Sequence, residues 1–118
     1  MKLDQAHSFS RTDLFGGTGT VEIWNIMPKT GAPPFTAALW CRLEPGGDVG
    51  QHVQQAFPEA VICVRGVGQA TVNEHAHPLT AGAMVYLPLG ARLSLRNLSE
   101  DDPLEYLIIK VQGPRISR

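Results

Sequence analysis

The residues best placed to do chemistry lie between Gly46 and Gly66: His52, Gln54 and Glu59, followed by Cys63 and Arg65. In a strand, residues two apart point to one face, so His52 and Gln54 converge. Glu59 joins them if Gln55-Ala56-Phe57-Pro58 forms a bend. An imidazole, an amide and a carboxylate aimed at one point can orient a small molecule, move a proton or hold a metal ion. Buried polar groups are costly without a partner or a use, and this trio is accordingly expected to line a ligand pocket. Cys63 falls on the face of Glu59 by strand parity, with Val61 between them, and is the substitute metal ligand to consider. Arg65 shares that parity and is expected to meet a ligand carboxylate, Glu59 or solvent.

Other reactive side chains have plainer readings. Cys41 and Cys63 read as small apolar core residues, because a nucleophilic thiolate needs a neighbouring cation. His75 and His77 have the spacing of a metal pair but stand in Glu-His-Ala-His-Pro, an expected exposed hairpin tip. Trp24, Trp40, Phe57 and Tyr106 are expected in core or dimer packing, with a pocket wall as the alternative.

These residues need a β framework. Val21–Ile26, Phe35–Leu43, Ala60–Val64, Gln69–Asn73, Ala83–Leu87, Arg92–Asn97 and Leu104–Val111 alternate or are rich in β-formers. Gly and Pro clusters such as Pro45-Gly46-Gly47 and Pro88-Leu89-Gly90 separate them. Phe35–Leu43 presents Ala37, Leu39, Cys41 and Leu43 on one face and Ala38, Trp40 and Arg42 on the other. No helical period competes, so the fold class is all-β, an antiparallel sandwich or barrel with the jelly roll among the solutions. Residues 1–20 read as an N-terminal arm ending in a flexible glycine turn, with a short strand near Phe9 that could add to a partner's sheet. Residues 21–113 form the barrel domain and 114–118 a tail.

Two spacings carry a family resemblance. Gly46-x5-His52-x-Gln54-x4-Glu59-x6-Gly66 and Gly82-x5-Pro88-x-Gly90-x2-Leu93-x3-Asn97 resemble the two motifs of the cupin family. The resemblance implies a double-stranded β-helix, or jelly-roll barrel, of the RmlC-like superfamily and the small conserved-barrel type. It also implies a homodimer paired sheet to sheet. Metal-binding cupins use two histidines and the glutamate of the first motif with the histidine of the second. Here His52 and Glu59 keep ligand types, Gln54 replaces a histidine and Leu93 replaces the last one. An amide oxygen is a poor ligand for Zn, Fe or Ni, and leucine is none.

The metal site therefore reads as degenerate, and no cofactor is expected. The alternative is one divalent Fe, Mn, Ni or Zn ion at His52, Gln54 and Glu59. Leu93 makes one pocket wall apolar, which suits an apolar or aromatic ligand. The functional expectation is a small-molecule-binding domain with a pocket of His52, Gln54, Glu59, Cys63, Arg65 and Leu93. The alternative is an isomerase, lyase or dioxygenase, metal-dependent or metal-free, using His52 and Glu59 as catalytic groups.

The whole chain adds exclusions. Its 118 residues suffice for one core, and a net charge of −1 offers no reason to expect nucleic acid or an anionic membrane as partner. No apolar run approaches the roughly 18 residues of a membrane span. Met1–His7 lacks a secretion signal, and two cysteines make no disulfide framework. A cytoplasmic location is the expectation.

Overall fold

The computed structural model describes residues 6–54 and 56–112. The first five residues of the expected arm, Gln55 and the expected tail at 114–118 lie outside it. The described chain is all-β, with ten strands. A six-stranded sheet contains, in order, β1 (Ser8–Thr12), β2 (Thr20–Asn25), β3 (Phe35–Leu43), β10 (Leu104–Val111), β5 (Glu59–Arg65) and β8 (Met84–Leu87). A four-stranded sheet contains β4 (Asp48–Val53), β9 (Arg92–Asn97), β6 (Gly68–Val72) and β7 (His75–Leu79). Every strand pairing among the described residues is antiparallel, both in the β1–β2 and β6–β7 hairpins and between strands far apart in the chain.

Alternation builds the core. Val21 and Ile23 on β2, Cys41 and Leu43 on β3, Val61 and Cys63 on β5, and Leu104 and Tyr106 on β10 all point inward. Leu93 and Leu95 on β9 and Val49 on β4 close the layer from the opposite sheet. Burying an aliphatic side chain contributes about 1.5–3 kcal/mol, so the inward rows supply most of the drive for the two sheets to stack.

Asn97 fastens one end. Its Nδ2 donates to the carbonyls of Leu43, Glu44 and Asp102 at 3.2, 3.1 and 2.9 Å. Its Oδ1 accepts from Ser99 N at 2.9 Å. The last residue of the second motif is thus a fully bonded buried clamp between the end of β3 and the 99–102 loop.

Three expectations about elements change. The segment near Phe9 pairs with its own chain, Phe9 opposite Ile23, and makes the sheet's edge. The β6–β7 hairpin turns at Asn73-Glu74, both with positive φ (47° and 74°), in the two-residue geometry that matches strand twist. His75 and His77 therefore stand in the exposed edge strand β7, where Pro78 is tolerated, rather than at a tip. Finally, β4, which the convergence of His52 and Gln54 presupposed although glycine and polar residues interrupt its apolar alternation, is a strand over Asp48–Val53 and ends before Gln54.

Candidate functional site

A cavity of about 170 Å³ lies between the sheets. Leu14, Val21, Ile23, Leu39, Leu95 and Ile108 give it apolar walls, and Val49, Leu93, Cys41 and Tyr106 continue them. Three side chains that can carry charge also reach it: His52, Glu59 and Lys110. The volume is comparable to the roughly 150 Å³ that accepts a benzene ring in an apolar protein interior.

A β-bulge aims His52. Val49 lies opposite Leu95 and His52 opposite Leu93, so β4 carries one more residue than β9 between these pairs. The extra residue shifts strand parity and brings His52 to the inward side with Val49. Its Nδ1 lies 3.0 Å from the Gly50 carbonyl. A carbonyl only accepts, so Nδ1 carries the proton and Nε2 keeps its lone pair. Burial pushes the imidazole below its usual range, opposed by the Gly50 hydrogen bond and reinforced by the charge of Lys110. His52 is thereby held toward its neutral form.

Over this ring lies a lid. Leu14–Gly16 forms a 3-10 turn whose Phe15 ring stacks on His52 with centroids 4.1 Å apart and planes 14° from parallel. Asp13 and Phe15 both adopt left-handed backbone (φ 53° and 54°). Such conformations cost on the order of 1–3 kcal/mol each in bulky residues and persist only when their surroundings enforce them. The enforcement is visible. Asp13 Oδ1 accepts from Gly19 N, Asp48 bonds Thr18, and Phe15's carbonyl lies where a Cβ at Gly50 would be. Leu14 and Phe15, expected within an arm, thus line the cavity.

Glu59 opens β5 and is 3% exposed. Its Oε2 has no hydrogen-bond partner among the described residues. Burial raises its pKa, and Lys110's charge opposes that rise. Lys110 sits directly opposite Glu59 on β10. No Lys110 ion pair within 4.0 Å occurs among the described residues. Cys41 is buried beside Tyr106, and desolvation, then the charge of Glu59, pushes its thiol up to about 12. A thiol so raised is no nucleophile at neutral pH.

Of the residues expected in the pocket, the structure brings His52, Glu59 and Leu93 to one cavity and leaves three outside its lining. Gln54 follows the end of β4. Its N–H donates to Ala91 and its carbonyl accepts from Gly90, and the buried side chain is not in the wall. Cys63 does share the inward face, but its Sγ lies 3.7 Å from the Arg65 carbonyl, away from the cavity. Arg65 is displaced by a second bulge. Tyr106 pairs with Cys63 while Glu105 pairs with Arg65, skipping Val64. That extra residue turns Arg65 outward, onto Glu105. Trp40 and Arg42 bond the same carboxylate at 3.2 and 3.1 Å, and the Arg42 guanidinium lies 4.9 Å from the Trp24 ring centre. Both tryptophans are thus on the outer face, and of the four aromatics proposed only Tyr106 meets the cavity.

Sequence reasoning missed Lys110 and Phe15. A signal for the first was available: Tyr106, Ile108 and Lys110 share one parity, and a lysine on an inward row is unusual. Nothing local marked Phe15, whose role depends on the fold of the lid.

These donors do not fit a transition metal. His52 Nε2 and Glu59 face the cavity, Leu93 stands opposite His52, and Gln54 and Cys63 are elsewhere. No group of three His, Cys, Asp or Glu side chains able to hold a metal occurs among the described residues. Two donors fall short of the three or four that transition-metal sites use.

Two stacked antiparallel sheets with a small, largely apolar cavity between them define a β-barrel of the jelly-roll kind. The cupin domain family matches residues 39–110, and the chain belongs to the cupin family. A predicted oxalate decarboxylase from Thermotoga maritima superposes with a TM-score of 0.86 at 22% identity, covering 94% of this chain and 96% of that one. A cupin 2 conserved barrel domain protein from Salinispora arenicola gives 0.67 at 26% identity over 78% and 76%. A sugar phosphate isomerase of the cupin superfamily from Silicibacter pomeroyi gives 0.73 at 18% identity over 97% and 76%. No curated protein sequence matches the chain.

Proposed function

We propose that this cupin binds a small organic molecule in the interior cavity, without a tightly held transition metal. The observation that carries this reading is the cavity itself: a ring-sized apolar chamber with its polar groups drawn from His52, Glu59 and Lys110. Ligand sites combine largely apolar walls with a few convergent polar groups, and Leu93 supplies wall where a metal-binding cupin supplies a ligand. The neighbouring decarboxylase and isomerase share the fold at identities that carry no chemistry across. A sugar phosphate needs many hydrogen-bonding partners, and these walls offer few. The test is a titration of isotope-labelled protein with neutral ring compounds, benzene and indole, followed by methyl NMR. Shifts at Leu93, Leu95 and Ile108 are expected; unchanged spectra at millimolar probe would refute a ligand cavity.

A second reading is a metal-free proton-transfer enzyme. It is favoured by two proton-exchanging side chains, His52 and Glu59, lining one largely apolar cavity. Its signature is loss of turnover in both His52→Gln and Glu59→Gln with ligand binding retained.

The homodimer belongs here too. On the outer face of the larger sheet, Ile62, Met84, Tyr86, Leu107 and Ile109 form an apolar field, Met84 61% and Tyr86 60% exposed. Beside it, the partly exposed Glu22, Arg42 and Arg65 offer both signs of charge, as suits a self-complementary two-fold contact. A second copy of this chain is the occupant we assign. Tyr86→Glu is expected to convert a dimer to a monomer in analytical ultracentrifugation, and a wild-type monomer at micromolar concentration would overturn the assignment. Among the described residues no helix is long and apolar enough to cross a membrane. A cytoplasmic location is supported by two buried free thiols, which persist in a reducing compartment.

A further inference from the structure

The cavity is amphipathic, and its polar end has a sign. Lys110 and Glu59 are direct cross-strand neighbours, so both heads lie at the same end of the chamber. Leu39, Leu93, Leu95 and Ile108 line the rest. The two charges do not satisfy each other: no Lys110 ion pair occurs within 4.0 Å, and Glu59 Oε2 is buried without a partner, among the described residues. A protein interior leaves such groups unmatched where something else completes them. Lys110 is the one Lys or Arg side chain lining the cavity among the described residues. It is half-buried on a long flexible stem, whereas Glu59 is fixed and enclosed.

We propose that the ligand is a small monocarboxylic acid with an apolar body, its carboxylate held by the Lys110 ammonium and its body packed on Leu93, Leu95 and Ile108. This rests on the cavity being a ligand site, as proposed above. An acid that meets the Lys110 ammonium lies beside a Glu59 carboxyl that burial holds toward its neutral form, so the two carboxyl groups need not repel. An amine seeking Glu59 would have to sit beside the like charge of Lys110. With Glu59 drawn toward its neutral form by burial, the one cation matches one ligand carboxylate, while a phosphate dianion or dicarboxylate would bring a second negative charge with no counterpart in an apolar chamber. A charge-assisted bond to carboxylate is also the stronger kind of hydrogen bond in such surroundings. The Phe15 lid then bounds the ligand's length, because its ring closes the chamber over His52.

The experiment is calorimetric titration of chelator-treated full-length protein with benzoate and hexanoate, set against benzamide, hexanamide and benzylamine. The acids are expected to bind at least tenfold more tightly than their amides. Lys110→Met is expected to remove that advantage while amide binding stays, and Lys110→Arg to keep it. Equal binding of acid and amide, or a preference for benzylamine, overturns the carboxylate assignment and leaves the cavity as a ligand site. An undiminished acid preference in Lys110→Met overturns the role of Lys110. If benzene and indole also leave the methyl spectra unmoved, the ligand-site reading fails with it. The acid–amide comparison needs only wild-type protein, so the inference remains decidable if a Lys110 variant misfolds.

Discussion

Replacing Asn97 by alanine is expected to cost this domain about 3 kcal/mol. The side chain is 2% exposed. Its two Nδ2 hydrogens are shared among three carbonyls, and its Oδ1 accepts a fourth contact. Three hydrogens, two donated and one accepted, therefore engage, each worth about 1 kcal/mol net. Water can reach some of the released partners, since Glu44 and Asp102 are in exposed turns, but the Leu43 carbonyl lies at a buried residue. That places the loss near 3 kcal/mol, within a range of about 2–5. An unfolding entropy of about 2.1 cal/mol/K per residue over 118 residues gives about 0.25 kcal/mol/K, so the melting temperature should fall by about 12 °C. Urea unfolding followed by tryptophan fluorescence measures the free energy, and an unchanged slope with denaturant shows that the native state is still compact. Asn97→Asp is the sharper companion. It keeps size and acceptor but turns an oxygen toward carbonyl oxygens, and should be at least as damaging. A loss below about 1 kcal/mol in Asn97→Ala, or wild-type stability in Asn97→Asp, would refute the clamp.

Three further outcomes follow from the cavity and its lid. Glu59→Gln should fold, and its stability relative to wild type should increase with pH. Burial raises the folded-state pKa of Glu59 above its unfolded value of about 4.5, so its contribution is fully present below that value and is lost as pH rises through the folded pKa. Melting curves from pH 4 to 7 check this, and a difference that shrinks with pH would contradict it. Gly50→Val should displace Leu14–Gly16, because a side chain there collides with the Phe15 carbonyl. Faster amide exchange at residues 14–17 is expected, and unaltered protection would mean the lid is not braced by Gly50. Leu93→His should take up about one equivalent of Ni or Zn by adding a third donor opposite His52, while Gln54→His alone should not. Uptake by Gln54→His alone would show that position 54 reaches the cavity after all.

Much of this protein is legible in its sequence. Phe35–Leu43, Arg92–Asn97 and Leu104–Val111 are strands at the bounds their alternation implies, because period-2 burial is a local property of the chain. Spaced glycines and prolines delimit the hairpins for the same reason, and the two motif spacings identify the cupin barrel. What parity could not reveal is where it breaks. One added residue in β4 turns His52 into the cavity, and another in β5 turns Arg65 out of it. A bulge is decided by the partner strand's register, which no single stretch of sequence states. Gln54 leaves the site because β4 ends at Val53, and Phe15 joins it because a distant turn folds over Gly50. Lys110 becomes a site residue only when β10 is laid beside β5, opposite Glu59. Residue types determined that a polar nucleus would sit within an apolar barrel; strand pairing decided which side chains compose it, since inward direction depends on contacts between segments far apart in the chain.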